Sequence, residues 1–517
     1  MFRGVLIGRT LWLLTVVAAC GIASGQVTLF QDFDSGSLDV ARSVINLSNP
    51  SAPVITLDPR NTWDGLSSNW WWVHFRAEGL QGATPRFRVN QRTSGLTIQH
   101  RWIYSYDQTH WAYFDHGSVS GGVYRFSNSA AFTQNSVYVA VMLPYPVART
   151  DAHVASVKTS PYVHPTASAD ADLVIGTTLG TAGGNYYDEL GRTVPSQNLY
   201  GFKITDAAVG GPKTKIVVMV GNHSGETLSH FPVEGLVDTL ISDDPKMAAL
   251  RRAAEFYVYP QVDPEGRHAG FYRTSPVNPS TDHNRLWSNF YGRGDPQFNP
   301  EVIAVEEAMR VDTGGSVEYF LDFHSMWHAI DGYPYSNAAL HDSEFMLHLA
   351  DREPDFVGAK RRNWLNSAYA QDWAALSPAE GGLGAVYSGA PEFGMKVGQT
   401  PERLREIGAN FALAFYDTLA AGLPNCEPGD ADGDGDADDD DLSIVLAHLG
   451  AATEGEDACR VGDFTGNGMV NDSDLSVVLA HWTGSNPVPE PTTILLLGTV
   501  GMALLRRRRK TSPATTP

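Results

Sequence analysis

The chain has 517 residues, 43% of them apolar and 10% aromatic, enough to bury several cores and too apolar for a disordered protein. Its formal charge of −21 excludes nucleic acid as a partner, because phosphate binding needs a basic surface. That charge is concentrated in residues 427–484, which hold fifteen acids and one base, Arg460.

Residues 1–25 place Arg3 and Arg9 around the start of an apolar run, LWLLTVVAA, before a small-residue exit at Ala23-Ser24-Gly25. That is the layout of a secretory signal peptide, so the protein is expected to leave the cytoplasm. Val17-Ala18-Ala19-Cys20 also resembles a bacterial lipobox, which would leave Cys20 carrying lipid.

Residues 27–152 carry short alternating runs such as RFRVN, LTIQHRWIYS and SVYVAVMLP, broken by Gly, Asn and Pro. This pattern predicts an antiparallel β-sandwich. Trp70, Trp71 and Trp72 read as core residues of one strand, with a sugar-stacking platform as the other reading.

Residues 153–424 alternate buried strands (KIVVMVG, EFYVYPQV, VEYFLDFH) with helical stretches over 299–311 and 401–421, the order of an α/β domain. The first of these strands runs into VGNHSGET, so His223 and Glu226 stand three apart at a strand's C-terminal edge, where open α/β sheets bind ligands. The same spacing recurs in His341-Asp-Ser-Glu344, but inside a helical pattern with no strand leading into it. A catalytic zinc takes three protein ligands and leaves one position to water. VEYFLDFH ends in His324, a second strand-end histidine that completes a His₂Glu set with His223 and Glu226.

Residues 426–484 contain an internal repeat with an offset of 33 residues. Oxygen-bearing side chains occupy loop positions 1, 3, 5 and 12 in both copies: Asp430, Asp432, Asp434 and Asp441, then Asp463, Thr465, Asn467 and Asp474. Hard oxygen donors at this spacing, with glycine at position 6 for the sharp turn, suit Ca²⁺. The pattern resembles the paired loop-helix repeats of dockerins, which implies a cohesin-like partner. Cys426 and Cys459 each precede their loop by four residues, and in an exported protein two cysteines at equivalent repeat positions are expected to pair. Residues 487–517 combine Pro-Glu-Pro, a 14-residue apolar stretch (Thr492–Leu505) and the cations Arg506–Lys510. The apolar stretch is shorter than the roughly 20 residues of a spanning helix. The tail resembles the PEP-CTERM sorting signal of Gram-negative envelope bacteria, which implies processing by an exosortase and a surface destination. A simple tail anchor is the alternative.

Six blocks in order, HSGE (223–226), Asp263-Pro-Glu-Gly266, Phe271-Tyr272-Arg273, Asp282-His283-Asn284-Arg285, LDFH (321–324) and APEFG (390–394), resemble the zinc metallocarboxypeptidases, most closely the cytosolic-carboxypeptidase branch with its β-sandwich before the catalytic domain. The resemblance implies that His223, Glu226 and His324 bind Zn²⁺ while Asp282 fixes the tautomer of His223. It implies that Glu392 is the general base toward the attacking water, whose acidity the metal raises. Arg273 would stabilise the oxyanion, and Asn284 and Arg285 would hold the substrate's terminal carboxylate. Tyr369 and Tyr387 are candidates for the family's lid tyrosine. Two departures stand out: glycine takes the place of the usual proline within HSGE, and Glu392 sits in APEFG rather than in a Thr/Met-rich strand.

The expectation is an exported, envelope-bound zinc carboxypeptidase acting on peptide or protein C-termini. A zinc amide hydrolase of the deacylase type would share the metal set and differ in its products. A surface binding protein with a vestigial zinc fold would carry adhesion on its tryptophan strand and calcium repeat.

Overall fold

The computed structural model describes residues 26–60, 72–90, 102–181, 191–209, 212–276, 282–287, 300–326, 332–354, 369–420, 428–432, 436–453 and 458–483. Its N-terminal part consists of two five-stranded sheets. One has the order Thr28–Phe30, His74–Glu78, Val137–Ala140, Ile103–Ser105 and Trp111–Tyr113; the other runs Val44–Asn46, Val54–Leu57, Arg86–Asn90, Val123–Ser127 and His116–Ser120. Alternate residues turn inward, as period-2 patterning requires, and the sheets meet through aromatic pairs. Phe75 lies 6.1 Å from Phe87 between ring centres, and Trp102 stacks on Phe126 at 4.6 Å. One pairing departs from the all-antiparallel expectation: Val54–Leu57 and Arg86–Asn90 run parallel, with Val54 opposite Arg86. Trp72 is buried and its indole N–H donates to the Ser35 carbonyl at 2.8 Å, a core position; Trp70 and Trp71 lie outside the described residues.

The boundary expected at 152/153 falls inside a helix, Val147–Val157. The two parts share one apolar core that includes both Val27 and Ala420. Polar contacts cross the join as well. Arg267 donates to the Tyr145 carbonyl at 2.9 Å, Thr227 to the Leu143 carbonyl at 2.7 Å, and the buried Arg60 guanidinium lies 4.4 Å from the centre of the Phe271 ring.

The α/β part is built on a seven-stranded mixed sheet in the order Val163–Pro165, Phe202–Ile204, Ala254–Tyr259, Thr214–Val220, Tyr319–Met326, Tyr387–Gly394 and Gly332–Ser336. The four strands from Ala254–Tyr259 to Tyr387–Gly394 are parallel, and the flanking pairings are antiparallel. Thr214–Val220 shows why the continuous apolar run was needed. Ile216, Val218 and Val220 face one core, while Val217 and Met219 face another, so both sides are covered. The helix Pro401–Leu419 starts at Thr400, whose hydroxyl accepts the Arg403 N–H, with proline at the first helical position. It packs on the helix His230–Leu240 at two glycines. A methyl group added to Gly235 would lie 2.1 Å from the Arg405 carbonyl oxygen, and one added to Gly408 would lie 1.9 Å from that of Pro232. Only glycine permits so close a crossing.

In the C-terminal repeat, Asp439–His448 and Asp472–Ala480 are helices packed around Val445, Val470 and Val478. Each begins with a reciprocal cap, Asp438 with Asp441 and Asn471 with Asp474.

Candidate active site

Gly221 (φ +79°) ends the Thr214–Val220 strand in a turn where a Cβ would lie 2.6 Å from Gln261, and this turn delivers His223 to the sheet edge. His324 arrives at the same edge on the neighbouring parallel strand. The Glu226 carboxylate bridges them. Its Oε1 lies 2.8 Å from His223 Nδ1 and its Oε2 lies 2.8 Å from His324 Nδ1. Ligand atoms of all three residues fall within 4.8 Å of one another, and all three are buried. The far ring nitrogens are held by carboxylates: His223 Nε2 is 2.8 Å from Asp282 Oδ1, and His324 Nε2 is 2.7 Å from Asp322 Oδ2. Two imidazole Nδ1 atoms and one carboxylate converging on a point, with both rings oriented from behind, form a donor set that fits Zn²⁺.

The electrostatics agree with that fit. Burial works against charge on Glu226, yet the two histidines hold it below the usual carboxylate range. Burial likewise opposes a charged His324, yet Asp322 and Glu226 push its proton affinity well up. The cluster therefore favours a positive charge at its centre.

Arg273 sits beside the cluster, donating from Nε to Asp282 Oδ2 at 2.9 Å and from Nη1 to Glu226 Oε1 at 3.3 Å. Asp282 is driven well below its ordinary range against the effect of burial, by Arg273 and His223. Asn284 takes a bond from the Ala370 N–H at 2.9 Å. Arg285 donates to the Asn284 carbonyl at 2.8 Å and lies 3.9 Å above the centre of the Tyr369 ring. Glu392 stands opposite His324 in the parallel register of the Tyr387–Gly394 strand, and its Oε2 is buried without a hydrogen-bond partner. Burial, and then the charge of Glu226, push it up to about 8. His223, Glu226, Arg273, Asn284, Arg285, His324 and Glu392 line one cavity of about 290 Å³, with Tyr272, Ser325, Tyr335, Tyr369, Gln371 and Ala390 completing its described wall.

Glycine at position 225 within HSGE has a local cause. The Gly225 N–H donates to the Tyr272 carbonyl at 2.7 Å, and a Cβ would lie 2.7 Å from the Tyr272 Cα, so a proline would lose the bond and clash. Tyr387 stacks on Tyr319 at 4.5 Å and is not among the cavity residues, whereas Tyr369 is. His341 ends a short helix, Ala338–His341, and pairs with Asp342, away from the cluster.

Asp322, missed in the sequence, had a readable sign: two residues before His324 on a strand, it shares that residue's face. Gln371 carried no such sign, and Tyr272 was marked only by its place beside Arg273 in the block Phe271-Tyr272-Arg273.

In the repeat, Asp430, Asp432 and Asp441 bring carboxylate oxygens within 4.8 Å of one another, while Asp434 lies outside the described residues. Asp463 and Asp474 face Thr465, whose hydroxyl is 3.4 Å and 2.8 Å from them, and the Asn467 N–H donates to Asp463 at 3.2 Å. Gly468 has φ +84° at the turn. Cys459 is disulfide-bonded; Cys426 lies outside the described residues.

Residues 186–388 match the zinc carboxypeptidase family model, and residues 487–510 match the PEP-CTERM protein-sorting motif. The chain is 30% identical to human cytosolic carboxypeptidase 6 over 158 residues, which is 29% of this chain and 30% of that protein's length. The fold is that of solved metallo-carboxypeptidases. The one from Burkholderia cenocepacia superposes with a TM-score of 0.59 at 21% identity, covering 76% of this chain and 99% of the other. The one from Pseudomonas aeruginosa gives 0.56 at 19% identity, covering 76% and 98%. Within the α/β part, residues 186–388 thus resemble the zinc carboxypeptidase family, and the chain shares the fold of the solved metallo-carboxypeptidases.

Proposed function

We propose that this chain is an exported zinc carboxypeptidase that removes C-terminal residues from peptides or proteins. The observation that carries the reading is the placement of the His223–Glu226–His324 cluster, the partnerless Oε2 of Glu392 and the Asn284–Arg285 pair around one cavity. His223, Glu226 and His324 would hold the zinc, which when bound supplies Lewis acidity toward water and the scissile carbonyl.

The chain's own residues do the rest. Arg285 and the Asn284 amide bind the substrate's terminal carboxylate, the guanidinium being steadied by its stack on Tyr369. The Arg273 guanidinium faces the scissile carbonyl one bond further in and stabilises negative charge on its oxygen. Glu392 accepts the proton of the attacking water at its free Oε2 and returns it to the leaving amine. A cavity of about 290 Å³ lies at the lower end of the roughly 300–1,000 Å³ of ordinary ligand pockets.

The signal layout of residues 1–25 and the matched sorting motif support export to the bacterial envelope, with exosortase-type processing of the tail. In the repeat, we read two Ca²⁺ sites at the loops beginning at Asp430 and Asp463, a Cys426–Cys459 bond, and a dockerin-like surface for a cohesin-like partner.

The test compares one peptide with a free C-terminus against the same peptide amidated. Mass spectrometry should show a single residue lost from the first and almost none from the second. Equal cleavage of both, or internal cuts, overturns the reading even if zinc is bound.

A further inference from the structure

We infer that Gln371 selects the substrate, and that the favoured C-terminal side chain is uncharged and hydrogen-bonding, best a primary amide such as glutamine or asparagine. The inference rests on the carboxypeptidase reading of the same cavity. Gln371 lines that cavity, is only 3% exposed, and its side-chain oxygen is buried with no hydrogen-bond partner. A polar atom removed from water and left unpaired costs free energy, and a donor arriving on a ligand recovers it.

Its position is fixed from two directions. The preceding residue, Ala370, donates its N–H to the Asn284 side chain, so Gln371 comes directly after the proposed carboxylate clamp. The Gln371 carbonyl accepts the Ser388 hydroxyl, which ties it to the strand that carries Glu392. A terminal residue held at Asn284 and Arg285 thus has Gln371 beside its side chain.

Charge decides what that side chain is. Among the described residues, the cations of the cavity are Arg273, engaged by Asp282 and Glu226, and Arg285, engaged by the Asn284 carbonyl and the Tyr369 ring. Neither is left over to neutralise an acidic side chain. An apolar side chain would leave the Gln371 oxygen unpaired. A carboxamide presents one donor group and one acceptor whichever way it is turned, and so pairs best with another carboxamide.

The experiment uses the full-length zinc-loaded protein and one peptide ending in Gln, Glu, Lys or Leu. The wild type should have its highest kcat/KM on the Gln-ended peptide. In Gln371→Leu, with Gln371→Met as a second variant should the first fold poorly, that value should fall about tenfold, chiefly through KM, while the Leu-ended value rises. Zinc content reports folding. Binding of free glutamine and of free leucine, measured by calorimetry on wild type and variant, gives a readout independent of turnover. If no peptide is cleaved but glutamine binds the wild type and not the variant, the inference stands and the carboxypeptidase reading fails. An unchanged order of peptide preference, or equal binding of glutamine by both proteins, overturns the inference.

Discussion

His324 and Glu392 stand directly opposite each other on adjacent parallel strands, so one metal-ligand candidate and the proposed base are set by the same ladder of backbone hydrogen bonds. Glu392→Gln keeps the shape and removes the proton acceptor. Turnover should fall by at least about 100-fold, the typical worth of general-base catalysis, with bound zinc unchanged. Retained activity would reassign the base.

Asp322 holds His324 from behind at 2.7 Å and takes a further bond from Asn222 at 3.1 Å. Asp322→Asn should weaken zinc binding roughly 10- to 100-fold, read by chelator competition, because the ring loses the carboxylate that orients it and raises its basicity. Unaltered affinity would mean that the carboxylate is dispensable for the metal.

Gly225→Ala places a methyl group against the Tyr272 backbone and side chain, 2.6–2.7 Å from the nearest atoms. Relief requires moving either the turn that carries His223 and Glu226 or the segment that carries Arg273. Zinc affinity and activity should drop together while circular dichroism stays near wild type. Full activity in this variant would show that the turn has slack.

Glu301 is fully buried and both its carboxylate oxygens lack hydrogen-bond partners, with burial first and then the neighbouring Asp263 and Glu265 pushing its proton affinity well up. Asp263 is itself pushed up to about 8, mainly by burial. Groups whose folded pKa lies above the unfolded one stabilise the fold below the unfolded pKa and lose that contribution as pH rises toward the folded one. The melting temperature of Glu301→Gln relative to the wild type should therefore rise between pH 5 and pH 8, by roughly 2–4 °C for each kcal/mol. A difference that is the same at both pH values would contradict the assignment.

Asp430, Asp432 and Asp441 crowd their carboxylates together, a repulsion that a divalent cation would relieve. Calcium added to chelator-treated full-length protein should protect residues 428–483 from proteolysis and leave peptide cleavage untouched. The same digestion pattern with and without calcium would remove the metal from the account of the repeat.

The sequence by itself determined the α/β character of residues 153–424, the strand-end pair His223 and His324, and the 33-residue repeat, because each is written in local periodicity or fixed spacing. A run such as KIVVMV must be covered on both faces, and the residues at its C-terminal end must emerge at a sheet edge. Tertiary structure alone decided the rest. The join of the N-terminal sheets to the α/β part passes through a helix and a shared core, which no composition shift marks. The parallel pairing of Val54–Leu57 with Arg86–Asn90 depends on chain path rather than on residue type. Gln371 and Tyr272 reach the cavity through contacts with distant segments, and Gly225 is required by the backbone of Tyr272, far along the chain. Periodicity reports which face of an element is buried. It does not report which buried polar atom is left without a partner, because that depends on every segment that folds against it.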